Sequence, residues 1–97
     1  MIIDGGSKTF SSDRLAGSSE VSFGHVVEAP GAIFSKMNEE HGYVDMRQAA
    51  KEFTVGDRVR VIPNHICVAM NLHEQVYGIR GDDVVETWKV AARGKLQ

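Results

Sequence analysis

From Arg58 to Val61 arginine and valine alternate, the period-two pattern of a strand with one face buried and the other wet. The preceding Thr54-Val55-Gly56-Asp57 reads as a tight turn that launches it. Pro63 has no N–H to give to a ladder, so the strand must end, bulge or lie on an edge there. Beyond it the chain from Ile66 to Leu72 is again mostly apolar, and the pattern predicts extended backbone through Asn64 to Val68. The clearest unit comes last: in "QVYGIRGDDVVETWKV", residues 75–90, two β-rich runs flank "RGDD" and predict a hairpin.

The N-terminal half carries weaker signals. "MIID" is a short apolar opening that meets a bend at Gly5-Gly6, and the polar "TFSSDRLAGSSE", residues 9–20, reads as a loop. "VSFGHVV", residues 21–27, alternates as a strand and is followed by a turn at "EAPGA". Ile33 to His41 fits a strand best, although Ile33, Met37 and Glu40 also share a helical face. "GYVDM" returns as its hairpin partner, and "RQAAKEF" is a helical turn or an exposed connection. The sum is one domain over residues 1–97, all-β and mostly antiparallel, barrel or sandwich-like, with at most one short helix.

Composition narrows the function classes. A chain of 97 residues holds one modest core, and 42% apolar with 25% charged residues is ordinary globular usage. The formal charge of −2 comes from interspersed acids and bases, so the basic footprint of a nucleic-acid binder is missing. No apolar run approaches the ~18 residues of a membrane span. Met1 to Thr9 lacks the basic-then-apolar order of a signal peptide, and a cytoplasmic protein is expected. The single cysteine, Cys67, makes no internal disulfide and is left to packing, reactivity or metal ligation.

Several residues could carry chemistry. On an extended strand His65 and Cys67 would project to one face about 6 to 7 Å apart, an imidazole and a thiolate suited to Zn²⁺. Two ligands make only an open site, and the same cysteine among Ile66, Val68 and Met70 could equally be a small buried hydrophobe. His73 reads as an exposed turn residue. Glu39 and Glu40 beside His41 offer an acid–base cluster or merely a solvated charged corner. Lys8 in "DGGSK" suggests a Schiff-base lysine beside a phosphate cradle, but no amphipathic helix follows to complete one. Tyr77 and Trp88 fall on the last hairpin, where core packing or an interface is their ordinary use.

"DGGSK" at the start, "EEHG" at 39–42, "VGDRVRVIPNHICVAMNLHE" at 55–74 and "VVETWKVAARG" at 84–94 together resemble the C-terminal domain of the D-serine dehydratase and D-threonine aldolase family. These are metal-activated pyridoxal phosphate enzymes related to alanine racemase. The resemblance implies that His65 and Cys67 are zinc ligands, and Cys67 stands where members favouring aldol cleavage can carry aspartate. It implies zinc acting as a Lewis acid on the β-hydroxyl of a D-3-hydroxy amino acid, for loss of hydroxide or cleavage of the Cα–Cβ bond. The family's N-terminal α/β barrel, which supplies the Schiff-base lysine and the phosphate cradle, has no counterpart in this sequence, and Lys8 does not match that lysine's motif. The expectation is therefore a detached metal-ligand domain, inert alone, which is either an excised or truncated C-terminal domain or one half of a split enzyme whose pyridoxal phosphate barrel domain or polypeptide acts in trans. The alternative is a non-catalytic, self-associating β module, for example a homodimer.

Overall fold

The β3–β4 hairpin is the spine of the molecule. In the computed structural model, which describes residues 1–13 and 22–95, β3 (Ile33–Met37) pairs antiparallel with β4 (Gly42–Asp45), with a bulge between Phe34 and Lys36. The far edge of β4 takes the short β1 (Ile2–Ile3), giving a sheet of order β1-β4-β3. A second ladder joins β2 (Gly24–Val26) to β5 (Val61–Pro63), again antiparallel. The two ladders meet where β2 lies against β3, and the Phe23 N–H donates to the Phe34 carbonyl at 2.9 Å.

The core lies inside this arc. Phe34 and Val26 are fully buried, with Phe23, Ala29 and Val44 beside them. The Phe34 ring meets Phe10 and Phe23 edge-on, at centroid distances of 5.7 and 6.1 Å. Gly42 is required by this packing, because a Cβ there would stand 2.6 Å from the Phe34 ring.

Two short helices complete the inventory among the described residues, one more than the sequence pattern predicts. The first, α1 (Ser7–Phe10), falls where "TFSS" begins the expected loop. Its opening amides, which lack intrahelical acceptors, are satisfied by the β3–β4 turn: the Ser7 N–H donates to the Asn38 carbonyl and the Lys8 N–H to that of Glu39. Gly6 permits this approach, since any side chain would collide with those same turn atoms. The rest of that predicted loop, residues 14–20, lies outside the described residues.

The second helix corrects the strand expected after Pro63. β5 does end at that proline, but Ile66–Asn71 forms α2. Its apolar residues are not an unbroken β run: Ala69 alone is buried, with Val68 and Met70 half-buried beside it and Ile66 and Cys67 exposed, which is a helical distribution. The chain then forms the predicted hairpin, β6 (Gln75–Arg80) with β7 (Asp83–Lys89), turning at Gly81, whose φ of 62° suits glycine. β7 is exposed along its whole length, so this hairpin stands apart from the core. The mostly antiparallel class therefore holds, while the barrel does not close among the described residues. No helix among them is long and apolar enough to cross a membrane.

Candidate functional site

Where β5 ends, three consecutive residues set up the site. Pro63 closes the ladder and releases the chain. The Asn64 side chain then donates to two carbonyls, Asp13 at 3.1 Å and Ser22 at 2.6 Å, holding together the two ends of the segment between them. With the Asp13 backbone fixed in this way, its carboxylate meets the Nδ1 of His65 at 2.8 Å. A carboxylate only accepts, so in this pair Nδ1 carries the hydrogen, and on the neutral ring Nε2 keeps a lone pair for a ligand. Because the ring is committed to Asp13, His65 occupies the N-cap of α2 without capping it through its side chain.

Cys67 lies in the first turn of α2, two residues on. The expected extended geometry of Asn64 to Val68 is thus replaced by a cap and a helical turn, and the strand spacing of the two donors no longer applies. Both remain accessible: His65 is 51% exposed in its side chain, and Cys67 is a free, exposed thiol. The reading of Cys67 as a buried hydrophobe is overturned, since only Ala69 of α2 is buried.

A carboxylate on the far nitrogen of a histidine is the usual second partner of a metal-bound imidazole, fixing its tautomer and its direction. By that measure the His65 imidazole, with the exposed Cys67 thiol as a second donor type, suits a zinc site chemically. The two do not fill it: among the described residues no group of three or more His, Cys, Asp or Glu side chains converges to hold a metal. The remaining positions would be open or filled by other groups.

The other candidates have structural partners. Lys8 forms ion pairs with Glu40 and, at 3.8 Å, with Glu39, so two motifs that looked chemical on sequence are one surface clasp between α1 and the β3–β4 turn. The hydrogen bond to Glu40 raises the Lys8 pKa above its ordinary value, and the Glu40 carboxyl is lowered by the same contact. Asn38 Oδ1 accepts from the backbone N–H groups of Glu40 and His41, which shapes this turn. His73 is not a free turn residue: its Nε2 lies 3.0 Å from the Thr9 carbonyl and ties the end of α2 to α1. Tyr77 and Trp88 are 55% and 53% exposed on the separate hairpin, which leaves core packing out. Asp13 and Asn64 are the residues sequence reasoning missed as a pair. They stand 51 positions apart, and only the Pro-Asn-His run hinted that the second might matter.

Comparison with known proteins bears on the fold and the family of the chain. A family model described as "Putative serine dehydratase domain" matches residues 1–79. An uncharacterized protein of Mycobacterium tuberculosis is 39% identical over 95 residues, covering 98% of this chain and 70% of that protein. A D-threonine aldolase of an Arthrobacter species is 32% identical over 65 residues, 67% of this chain but 17% of the aldolase. The solved D-threo-3-hydroxyaspartate dehydratase of Delftia superposes with a TM-score of 0.75 at 28% identity, covering 91% of this chain and 27% of that enzyme. The chain thus spans about a sixth to a quarter of these enzymes and most of the mycobacterial relative. The family model over residues 1–79, the mycobacterial relative and the shared fold agree: the chain belongs to the serine dehydratase domain family.

Proposed function

We propose that this chain is the metal-ligand domain of a pyridoxal phosphate lyase acting on D-3-hydroxy amino acids, and that it works with a cofactor-bearing barrel polypeptide supplied in trans. The observation that carries this reading is the Asp13–His65 pair beside an exposed Cys67, an imidazole oriented for a metal and a thiol left free to join it. Zinc held by His65 and Cys67 would supply a Lewis acid for the substrate hydroxyl, and pyridoxal phosphate held by the barrel an electron sink.

The chain's own contribution is positional. Asn64 fixes the Asp13 backbone, Asp13 keeps the proton on His65 Nδ1, and Cys67 follows two residues on as an exposed thiol in the first turn of α2. Alone the domain is inert on this reading: Lys8, the lysine of the glycine-rich "DGGSK" stretch, is held by Glu40 and Glu39. The test mixes the chain with zinc, pyridoxal phosphate and D-serine or D-threonine, with and without the barrel portion of a family lyase. Turnover is expected only in the mixture and is abolished by His65→Ala or Cys67→Ala. Turnover by the chain alone, or a mixture indifferent to both variants, refutes the proposal.

A second reading rests on the β6–β7 hairpin, where Tyr77, Ile79, Val84, Val85 and Trp88 are all exposed. Such a surface on a domain without chemistry would serve self-association. A chain that stays monomeric by light scattering at high concentration removes that reading.

A further inference from the structure

The strands β1 to β5 form most of a ring, and the ring is open at one place. Neighbours run β1-β4-β3 in one sheet and β2-β5 in the other, with β2 lying against β3. Among the described residues, β1 therefore has one free edge and β5 another. A cavity of about 1080 Å³ lies between them, lined by Ile3 on one side, Val59 and Val61 on the other, and Phe10, Met46 and Phe53 between.

Strand direction shows what the opening accepts. β1 runs antiparallel to β4, β4 to β3, and β5 to β2. β2 and β3 are joined by only residues 27–32, too short for a parallel crossover, so they too are antiparallel. β1 and β5 consequently run the same way. One strand placed between them would be antiparallel to both, and it would close the ring with every neighbour in the same relation; two strands would not.

The backbone agrees with that geometry. Met1 exchanges hydrogen bonds with Val44, so the N–H and C=O of Ile2 point away from β4. The Arg60 amide donates to Glu28 and its carbonyl accepts from Val27, so the backbone groups of Val59 and Val61 point away from β2. Both sets of groups face the opening. This also explains why Arg58 to Val61 alternates as a strand in sequence while only Val61–Pro63 is one in the structure: its second neighbour is missing. The rim carries Asp4, Glu52 and Asp57 against Lys51 and Arg58, a near balance that gives no preference for an anionic small molecule.

We infer that the opening between β1 and β5 is a docking site for a single extended segment of the companion lyase polypeptide, which completes the ring by β-augmentation with alternate apolar side chains turned inward. The inference rests on the trans partnership proposed above. The matched relatives carry the necessary extra chain, since this domain spans only 17% of the D-threonine aldolase and 27% of the dehydratase. A second copy of this chain is a poor occupant: its free-standing element is the β6–β7 hairpin, which brings two strands to a one-strand opening.

The test follows amide hydrogen exchange in the full chain while synthetic 12-residue peptides are added in turn, tiled across the part of the Arthrobacter D-threonine aldolase outside the matched region. One peptide, or two overlapping ones, is expected to slow exchange at least ten-fold both at Ile2 and at Val59 and Val61, whose amides face the opening. Val59→Pro, which removes a donor facing the opening and none facing β2, abolishes that protection, whereas Val59→Ala keeps it. Preserved slow exchange at Val26 and Phe34 shows that the variants are folded. Protection of one edge only, of neither, or of both on raising the chain's own concentration without peptide overturns the inference. Turnover of the mixed enzyme without peptide protection overturns the docking mode and leaves the proposed function standing.

Discussion

Replacing Asp13 with alanine separates two quantities that a merely structural ion pair would move together. The Asp13 carboxylate and the His65 ring are 2.8 Å apart, but their side chains are 42% and 51% exposed, so water screens the pair. Exposed pairs contribute from nothing to about 1 kcal/mol, against a stability on the order of 5 to 15 kcal/mol for a domain of this size, and Asp13→Ala therefore stays folded with a Tm fall of a few degrees at most. The effect on the imidazole is larger. Without the carboxylate nothing holds the proton on Nδ1, and loss of such an outer partner typically weakens metal binding about 10- to 100-fold, equivalent to roughly 1.4 to 2.7 kcal/mol. Nitrogen-15 NMR at a pH where the ring is neutral reads the tautomer directly, and a chelator competition in the presence of the barrel partner reads zinc affinity. The wild type should show the Nδ1–H form, and the variant should shift toward Nε2–H with weaker zinc binding. A wild-type ring already protonated on Nε2, or a variant with unchanged zinc affinity where His65→Ala loses it, would sink the argument.

Other substitutions probe the scaffold. Asn64→Ala removes the two hydrogen bonds that hold Asp13 and Ser22 together, at roughly 1 kcal/mol each, so thermal circular dichroism should record a Tm fall on the order of 10 °C; an unchanged Tm refutes the clasp. Phe34→Ala empties the centre of the core and should cost about 3 to 5 kcal/mol in urea unfolding, close to the whole stability of a small domain. The hydrogen bonds from Arg47 hold the Asp45 carboxyl down at about 2, below its ordinary 3.8. Because the folded pKa is depressed, this stabilisation is present above pH 4 and disappears as pH falls toward 2. Asp45→Asn should thus be less stable than the wild type at neutral pH and converge with it at pH 2, and a constant difference across that window contradicts the assignment.

What the sequence revealed follows from how local each determinant is. The β6–β7 hairpin was readable because its alternation and its Gly81 turn lie within fifteen residues, and β3–β4 because Gly42 restarts a short apolar run. α2 was misread because six residues hold too few repeats to separate a period of 3.6 from an unbroken apolar strand. α1 was invisible for another reason: its first amides are satisfied by carbonyls at Asn38 and Glu39, thirty residues away. The candidate site divides the same way. His65 and Cys67 stand out as a motif, whereas Asp13 acquires its role only when Asn64 fixes its backbone in space. Lys8, Glu39 and Glu40 show the converse, chemical-looking groups that prove to be partners for each other.

Trp88 has a consequence for every optical experiment on this molecule. It is the sole tryptophan, and its indole covers Gly78 on the neighbouring strand of a hairpin whose outer strand touches little else. Emission at its wavelength therefore tracks that finger and not the phenylalanine cluster at Phe34. A denaturation curve followed by fluorescence should lead the one followed by far-ultraviolet ellipticity, and the gap between the two midpoints measures how loosely the finger is coupled to the body.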